Sequence, residues 1–218
     1  MNVGLIIIAT QKYIEFVPRL LESIEKFFLK GHDVEIFLFT DCQFSGNVTI
    51  IPTQHKPWPW MTLGRYHLIQ QLKNYPQKDF YYYIDSDMAL LDSVGDEIFG
   101  ERVAAIHGKF KKKPGNYDRN PQSLAYISEQ EISKNALAPY YCGGFQGGSN
   151  YLDDAAELAR RIDIDDKNSV MAAWHDESHW NRYLLDVPPT IVLSDAYCSQ
   201  KEKNAKILIV KKNVDEVR

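Results

Sequence analysis

The chain has 218 residues, 44% of them apolar and 25% charged, with a formal net charge of −4; this suits one folded domain and excludes disordered and collagen-like classes. The acidic balance argues against a nucleic-acid binder relying on general phosphate attraction, and the basic run "KFKKK" at 109–113 reads as a solvated loop. Cys42, Cys142 and Cys198 are an odd number without zinc-type spacing, which predicts neither a disulfide framework nor a structural zinc and favours a reducing compartment.

Residues 3–9 are a continuous apolar run, too short to span a bilayer, and predict a buried strand. Apolar residues then recur at helical spacing over 14–29, and a second apolar strand over 34–41 ends in Asp41. This β-α-β opening supports a parallel sheet. A short strand over 48–51 follows, then the proline-broken loop "HKPWPW" and a helix over 63–72. The next strand, 79–87, runs into Asp85 and Asp87, and another, 101–107, ends in His107, with a short helical stretch over 94–99 between them. Residues 108–120 are rich in Lys, Gly and Pro and predict a loop. The four glycines of "GGFQGGS", 143–149, predict a bend or a close approach to a ligand. Helices over 153–162 and 169–185 and a strand over 206–210 complete the pattern. In open α/β sheets ligands gather at the carboxyl ends of strands, where Asp85, Asp87 and His107 fall.

Two clusters carry chemistry. Asp85 and Asp87 are two apart at a strand end, so both carboxylates point the same way; like charges that close favour a divalent cation between them, although a solvated strand end has the same spelling. "AWHDESHWNRYLL" places His175 and His179 four apart on a helix, a spacing compatible with a zinc hydrolase; but Asp176 stands where a zinc-protease helix has its glutamate, and no third ligand follows nearby. A nucleotide-sugar substrate uses both clusters. Asp85 and Asp87 would hold a cation against its diphosphate, and Glu177 would stabilise or attack the anomeric carbon. Trp174 offers a face on which a second sugar could rest.

"YIDSDM", "NYDRNPQSLAYI", "YYCGGFQGGS" and "WHDESHWNRYLL" resemble, in order and spacing, glycosyltransferase family six, which includes the mammalian histo-blood-group A and B transferases and α-1,3-galactosyltransferase. The likeness runs from "IATQKY" to the final "VKKNVDEVR". It implies an α/β, Rossmann-like GT-A fold with a mixed, mainly parallel central sheet flanked by helices. It also implies a single catalytic domain over 1–218, with a nucleotide-binding half, 1–92, and an acceptor-binding half with a basic tail, 93–218. The implied activity is manganese-dependent retaining transfer of GalNAc or Gal from a UDP-sugar to the 3-position of a β-galactoside glycan, with or without a fucose branch. A carbohydrate-binding protein that has lost turnover is the non-enzymatic alternative.

By motif position, the resemblance makes Asp85 and Asp87 the metal pair and Glu177 the catalytic carboxylate, with covalent and ion-pair routes both open. Ala9, Thr10 and Tyr13 match the uridine-binding strand end and Arg65 a donor-contacting arginine; Ser86, Cys142, Gly143, Gly144, His175 and Asp176 complete the donor set. Lys212 and Arg218 match basic tail residues over the diphosphate. His107, Trp174, Glu177 and Gln200 fall on the acceptor side, with Gln200 where the family has an acidic contact. Gly144 matches the position where GalNAc users have Gly and Gal users Ala, which favours GalNAc, while Cys142 matches neither pattern. Mammalian members carry a membrane anchor and stem, whereas this sequence starts at the first strand, so a soluble cytoplasmic protein of bacterial or phage-like origin is expected, its paired aspartates intact.

Overall fold

The computed structural model describes residues 1–110, 117–135 and 139–210. In chain order its strands and helices are β1 (Asn2–Ile8), α1 (Val17–Phe27), β2 (Asp33–Thr40), β3 (Thr49–Pro52), α2 (Trp60–Leu63), α3 (Arg65–Gln70), β4 (Phe80–Ile84) and β5 (Met88–Leu90). There follow β6 (Val103–Ile106), α4 (Glu129–Lys134), β7 (Tyr141–Gly148), α5 (Tyr151–Lys167), α6 (His175–Asp186), β8 (Ile191–Leu193) and β9 (Ile207–Ile209).

Seven strands form one sheet in the order β3-β2-β1-β4-β7-β6-β8. All neighbours pair in parallel except β7, which is antiparallel to both β4 and β6. The fold is therefore the mainly parallel α/β sheet expected. Strand β1 sits inside it because its continuous apolar run is buried on both faces. Val3, Leu5 and Ile7 pack with α1 residues Val17, Leu20 and Ile24 on one side. Ile6 faces the other, where Tyr66 and Ile69 of α3, Leu158 and Ile162 of α5 and Trp180 and Leu184 of α6 close the second core. A separate antiparallel pair, β5 with β9, runs straight on from the Asp85–Asp87 turn, and the Val210 N–H donates to the Asp87 carbonyl at 2.8 Å. No helix among the described residues is long and apolar enough to cross a membrane.

Several expected boundaries move, for local reasons. The helix of 14–29 begins only at Val17, after a 3-10 turn over Gln11–Phe16, with Pro18 in its first turn. That of 63–72 divides into α2, α3 and a 3-10 turn over Gln71–Asn74, and the stretch at 94–99 is one 3-10 turn, Asp96–Ile98. The helix of 169–185 starts at His175, because Ser169 and His175 have φ of +56° and +52° and interrupt any helical run through 169–174. The glycine run is no bend but strand β7. A Cβ on Gly147 would collide with the Tyr81 carbonyl and the Tyr82 ring edge, so glycine there lets β4 and β7 pair closely.

The cysteine reading is also corrected. Cys142 in β7 and Cys198, in the 3-10 turn Asp195–Cys198, are joined by a disulfide with Cα atoms 6.7 Å apart, leaving Cys42 as the free thiol. The odd count concealed a pair separated by 56 positions, because spacing says nothing of three-dimensional proximity.

Candidate active site

The sheet's topology assembles the site. Strands β1 and β4 are parallel, so their carboxyl ends, carrying Thr10 and the Asp85–Asp87 turn, share one edge. Because β7 runs the opposite way, its start, Gly143–Gly144, comes to that same edge, and the Asp85 N–H donates to the Gly144 carbonyl at 2.9 Å. The first turn of α6 adds Asp176 and Glu177. Between them lies a cavity of about 660 Å³ lined by Thr10, Tyr13, Arg65, Asp85, Ser86, Asp87, Gly143, Gly144, Trp174, His175, Asp176 and Glu177. Twelve of the residues singled out in the sequence thus meet in one place.

A buried arginine organises the carboxylates. Arg65, 8% exposed, donates from Nη1 to the Gly143 carbonyl at 2.6 Å and pairs with Asp85 Oδ1 and Asp176 Oδ2, each at 3.1 Å. Its guanidinium lies 4.2 Å from the centre of the Tyr83 ring, whose hydroxyl donates to Asp85 Oδ1 at 2.6 Å. Burial alone would weaken the guanidinium's charge, but Asp176, Tyr83 and Asp85 outweigh it and hold the pKa well above its usual value.

Glu177 accepts the Gly143 N–H at 2.8 Å on Oε2. Burial pushes its carboxyl up to about 7, and the neighbouring Asp176 charge adds to the rise while the Gly143 N–H opposes it. Asp176 is pushed up to about 6, again chiefly by burial, with Arg65 pulling the other way. Both sit at a helix N-terminus, where the macrodipole favours ionisation by about 0.3–1 kcal/mol. Desolvation outweighs it. The site thus holds a carboxyl whose protonation changes near neutrality, the usual property of a group that does chemistry.

The paired aspartates fit a divalent cation. Asp85 Oδ1 is committed to Tyr83 and Arg65, which leaves Oδ2, and this lies 2.9 Å from where a Cβ on Gly144 would stand. Asp87 is 6% exposed and lines the same cavity. No group of three or more His, Cys, Asp or Glu gathers for a metal among the described residues. Two carboxylates with hard oxygens suit a cation whose other ligands come from phosphate and water, and do not suit a closed protein cage.

Other expected residues lie elsewhere. Ala9 is fully buried at the end of β1, and Cys142 is tied up in its disulfide, its sulfur accepting the Gly144 N–H at 3.2 Å; neither lines the cavity. His107, half-buried, packs on Phe110 and Tyr140 with ring centres 4.8 and 5.9 Å away, its pKa lowered by burial. Gln200 is exposed, and Lys212 and Arg218 lie outside the described residues. His175 lines the cavity, whereas His179 is buried 3.5 Å from Asp165, its pKa pushed down to about 4 by burial, and does not line it. The loop read only as rigid and proline-broken contributes His55, Lys56 and Trp58. His55 Nδ1 is 2.9 Å from the Thr10 hydroxyl, and the Trp58 ring meets His175 edge-on at 4.9 Å. A basic and aromatic loop following a strand's carboxyl end was the available signal.

The model of the family described as Glycosyltransferase family 6 matches residues 1–218. The chain is 32% identical over 217 residues to the Rattus norvegicus histo-blood group ABO system transferase 1, covering 90% of this chain and 60% of that protein. It is 30% identical over 246 residues to transferase 2 of the same organism, covering all of this chain and 71% of that protein. To the Gallus gallus globoside alpha-1,3-N-acetylgalactosaminyltransferase 1 it is 29% identical over 249 residues, covering all of this chain and 69% of that protein. The chain thus spans about three fifths to seven tenths of the length of these relatives.

Proposed function

Because this chain belongs to glycosyltransferase family 6, we propose that it is a retaining α-1,3-glycosyltransferase moving a sugar from a UDP-sugar to the 3-position of a β-galactoside. The observation that carries the reading is the meeting, in one cavity, of the Asp85–Asp87 pair, the Arg65 network and Glu177. Thr10 and Tyr13 bind the uridine end. Asp85 and Asp87 hold a divalent cation, manganese, which when bound supplies positive charge to the departing diphosphate. Lys212 and Arg218 of the tail serve the same diphosphate.

Glu177 faces the sugar. The Gly143 N–H fixes its carboxyl, and ionisation near neutrality gives a carboxylate that stabilises or attacks the anomeric carbon as the bond to phosphate breaks. Arg65 holds Asp176 and Asp85 in register with the Gly143 carbonyl, so the donor floor and the Glu177 turn stay aligned. Trp174, 49% exposed at the cavity, supplies a face for the acceptor galactose, and His107 and Gln200 serve the same acceptor. The donor is UDP-GalNAc in preference to UDP-Gal, a choice supported by Gly144 and by the acetylgalactosaminyl name of the chicken relative.

The test is donor binding and slow donor hydrolysis. UDP-GalNAc or UDP-Gal with manganese raises the melting temperature, EDTA removes the rise, and Asp87→Ala abolishes it. Hydrolysis across four UDP-sugars identifies the donor. The absence of any shift or hydrolysis with all four would end this reading.

A further inference from the structure

Tyr140 stands just ahead of strand β7 and is fully buried, so it does not line the cavity. It is nonetheless tied to the cavity floor, because Tyr141 and Gly143 follow it on the same strand. The Tyr140 hydroxyl finds no hydrogen-bond partner among the described residues. A buried hydroxyl left unsatisfied destabilises a fold, and phenylalanine would fill the same space without that penalty. We propose that Tyr140 is a positioning residue for the reaction, its hydroxyl donating to the Glu177 carboxylate once that group is ionised. This rests on the role given to Glu177 above.

Three observations carry it. First, the two groups act on each other. The groups facing Tyr140 are Glu177 and Asp176 of α6, Tyr117, and the His107 and Phe110 rings. Burial raises the Tyr140 pKa, and the Glu177 charge raises it further, ahead of Asp176 and Tyr117. In return, burial raises the Glu177 pKa against the Gly143 N–H, and Tyr140 and Arg65 oppose the further rise that Asp176 causes.

Second, neither group can drift away. The Phe110, Tyr117 and His107 rings pack on Tyr140 with centres 5.4, 5.5 and 5.9 Å from its own, and its carbonyl accepts the His107 N–H at 2.8 Å. Glu177 is held through Asn181, whose Nδ2 donates to the Glu177 carbonyl at 2.9 Å and to the Tyr141 carbonyl at 2.8 Å. Asn181 Oδ1 in turn accepts the Tyr141 N–H at 2.8 Å. Helix and strand are thus one unit, with Tyr140 at the head of the strand and Glu177 in the first turn of the helix. Third, the carboxylate has room for another donor. Its two oxygens accept at about four lone pairs, and the Gly143 N–H takes one on Oε2. Catalytic hydrogen bonds are often incomplete in a free enzyme and tighten when charge develops, which accounts for a hydroxyl kept here without a partner.

The experiment follows Glu177 ionisation directly in the ligand-free protein, by carbon NMR of isotope-labelled glutamate carboxyls. Wild type is compared with Tyr140→Phe, and Glu177→Gln assigns the signal. Losing a donor to the charged form disfavours that form, so the Glu177 midpoint rises from about 7 by roughly one unit in Tyr140→Phe. The acid limb of donor hydrolysis moves with it: kcat/KM falls about tenfold near pH 6, and the loss shrinks as pH rises. The melting temperature stays level or rises, because a partnerless hydroxyl has been removed. A lower melting temperature with midpoint and limb unmoved is the signature of a merely structural tyrosine and overturns the proposal. An unmoved midpoint at any melting temperature does so too, as does a shifted midpoint with an unmoved limb. If the midpoint shifts but wild type hydrolyses no UDP-sugar, the Tyr140 contact stands and the transferase reading falls.

Discussion

Replacing Arg65 by methionine keeps most of the side chain's length and removes its charge. Two carboxylates then lose their shared partner, but unequally. The Asp85 side chain is 31% exposed and has water to turn to, whereas that of Asp176 is 3% exposed and does not. Removing one partner of a buried ion pair costs about 3–5 kcal/mol. At roughly 2–4 °C per kcal/mol for a domain of this size, the melting temperature should fall by about 10 °C at pH 8. The deficit must also depend on pH. Burial raises the Asp176 pKa from 3.8 to about 6 even with Arg65 present, and without Arg65 it rises further. A carboxyl raised by folding contributes stability that is full below its unfolded value and is lost as pH rises through the folded value. The neutral acid needs no cation, so the Arg65→Met deficit should shrink between pH 8 and pH 5. Glu177, whose rise Arg65 also opposes, acts in the same direction. Melting curves of both proteins at the two pH values, without ligands, decide it. An equal deficit at both, or one under about 1 kcal/mol, would refute the role given to Arg65.

Gly144→Ala should weaken cation-dependent UDP binding about tenfold and destabilise the fold by about 1–3 kcal/mol, because the new methyl would strike the end of Met88 and crowd Asp85 Oδ2 at 2.9 Å; unchanged affinity by calorimetry would show that Asp85 does not grip the ion. Donor hydrolysis, measured as kcat/KM, should rise with pH to a plateau above about 7 as Glu177 ionises. Glu177→Gln should lower it at least about a hundredfold and remove that acid limb, and a flat wild-type profile from pH 5 to 8 would contradict the assignment. Unfolded without reductant the protein should show one reactive thiol, Cys42, and three after reduction. Opening a loop that spans 56 positions should cost about 4 kcal/mol, or about 10 °C in melting temperature. Three thiols before reduction would contradict the pairing.

Much of the fold was legible where one local signal dominated. The apolar runs of β1, β2 and β4 and the helical spacing in α1 and α5 read directly, and the carboxyl-end rule located Asp85 and Asp87. What the sequence hid depended on partners remote along the chain. Glycines in β7 look like bends until Tyr81 and Tyr82 are seen pressing on them, and Cys142 looks solitary until the sheet brings Cys198 alongside. Strand β8, with three residues, is too short to show a period. At the site, the chemistry-bearing side chains were nameable one by one, because acid pairs and the HDES run stand out by composition. The role of Arg65 as their common counter-charge was not, since it is set by distances to three segments at once.

The small sheet of β5 and β9 clips the far end of the described chain to the aspartate turn through the Val210 amide on the Asp87 carbonyl. That amide can exchange its hydrogen only when the clip opens. Its deuterium uptake therefore serves as a gauge of Asp87: any partner that steadies the turn slows exchange at a residue more than a hundred positions away along the chain.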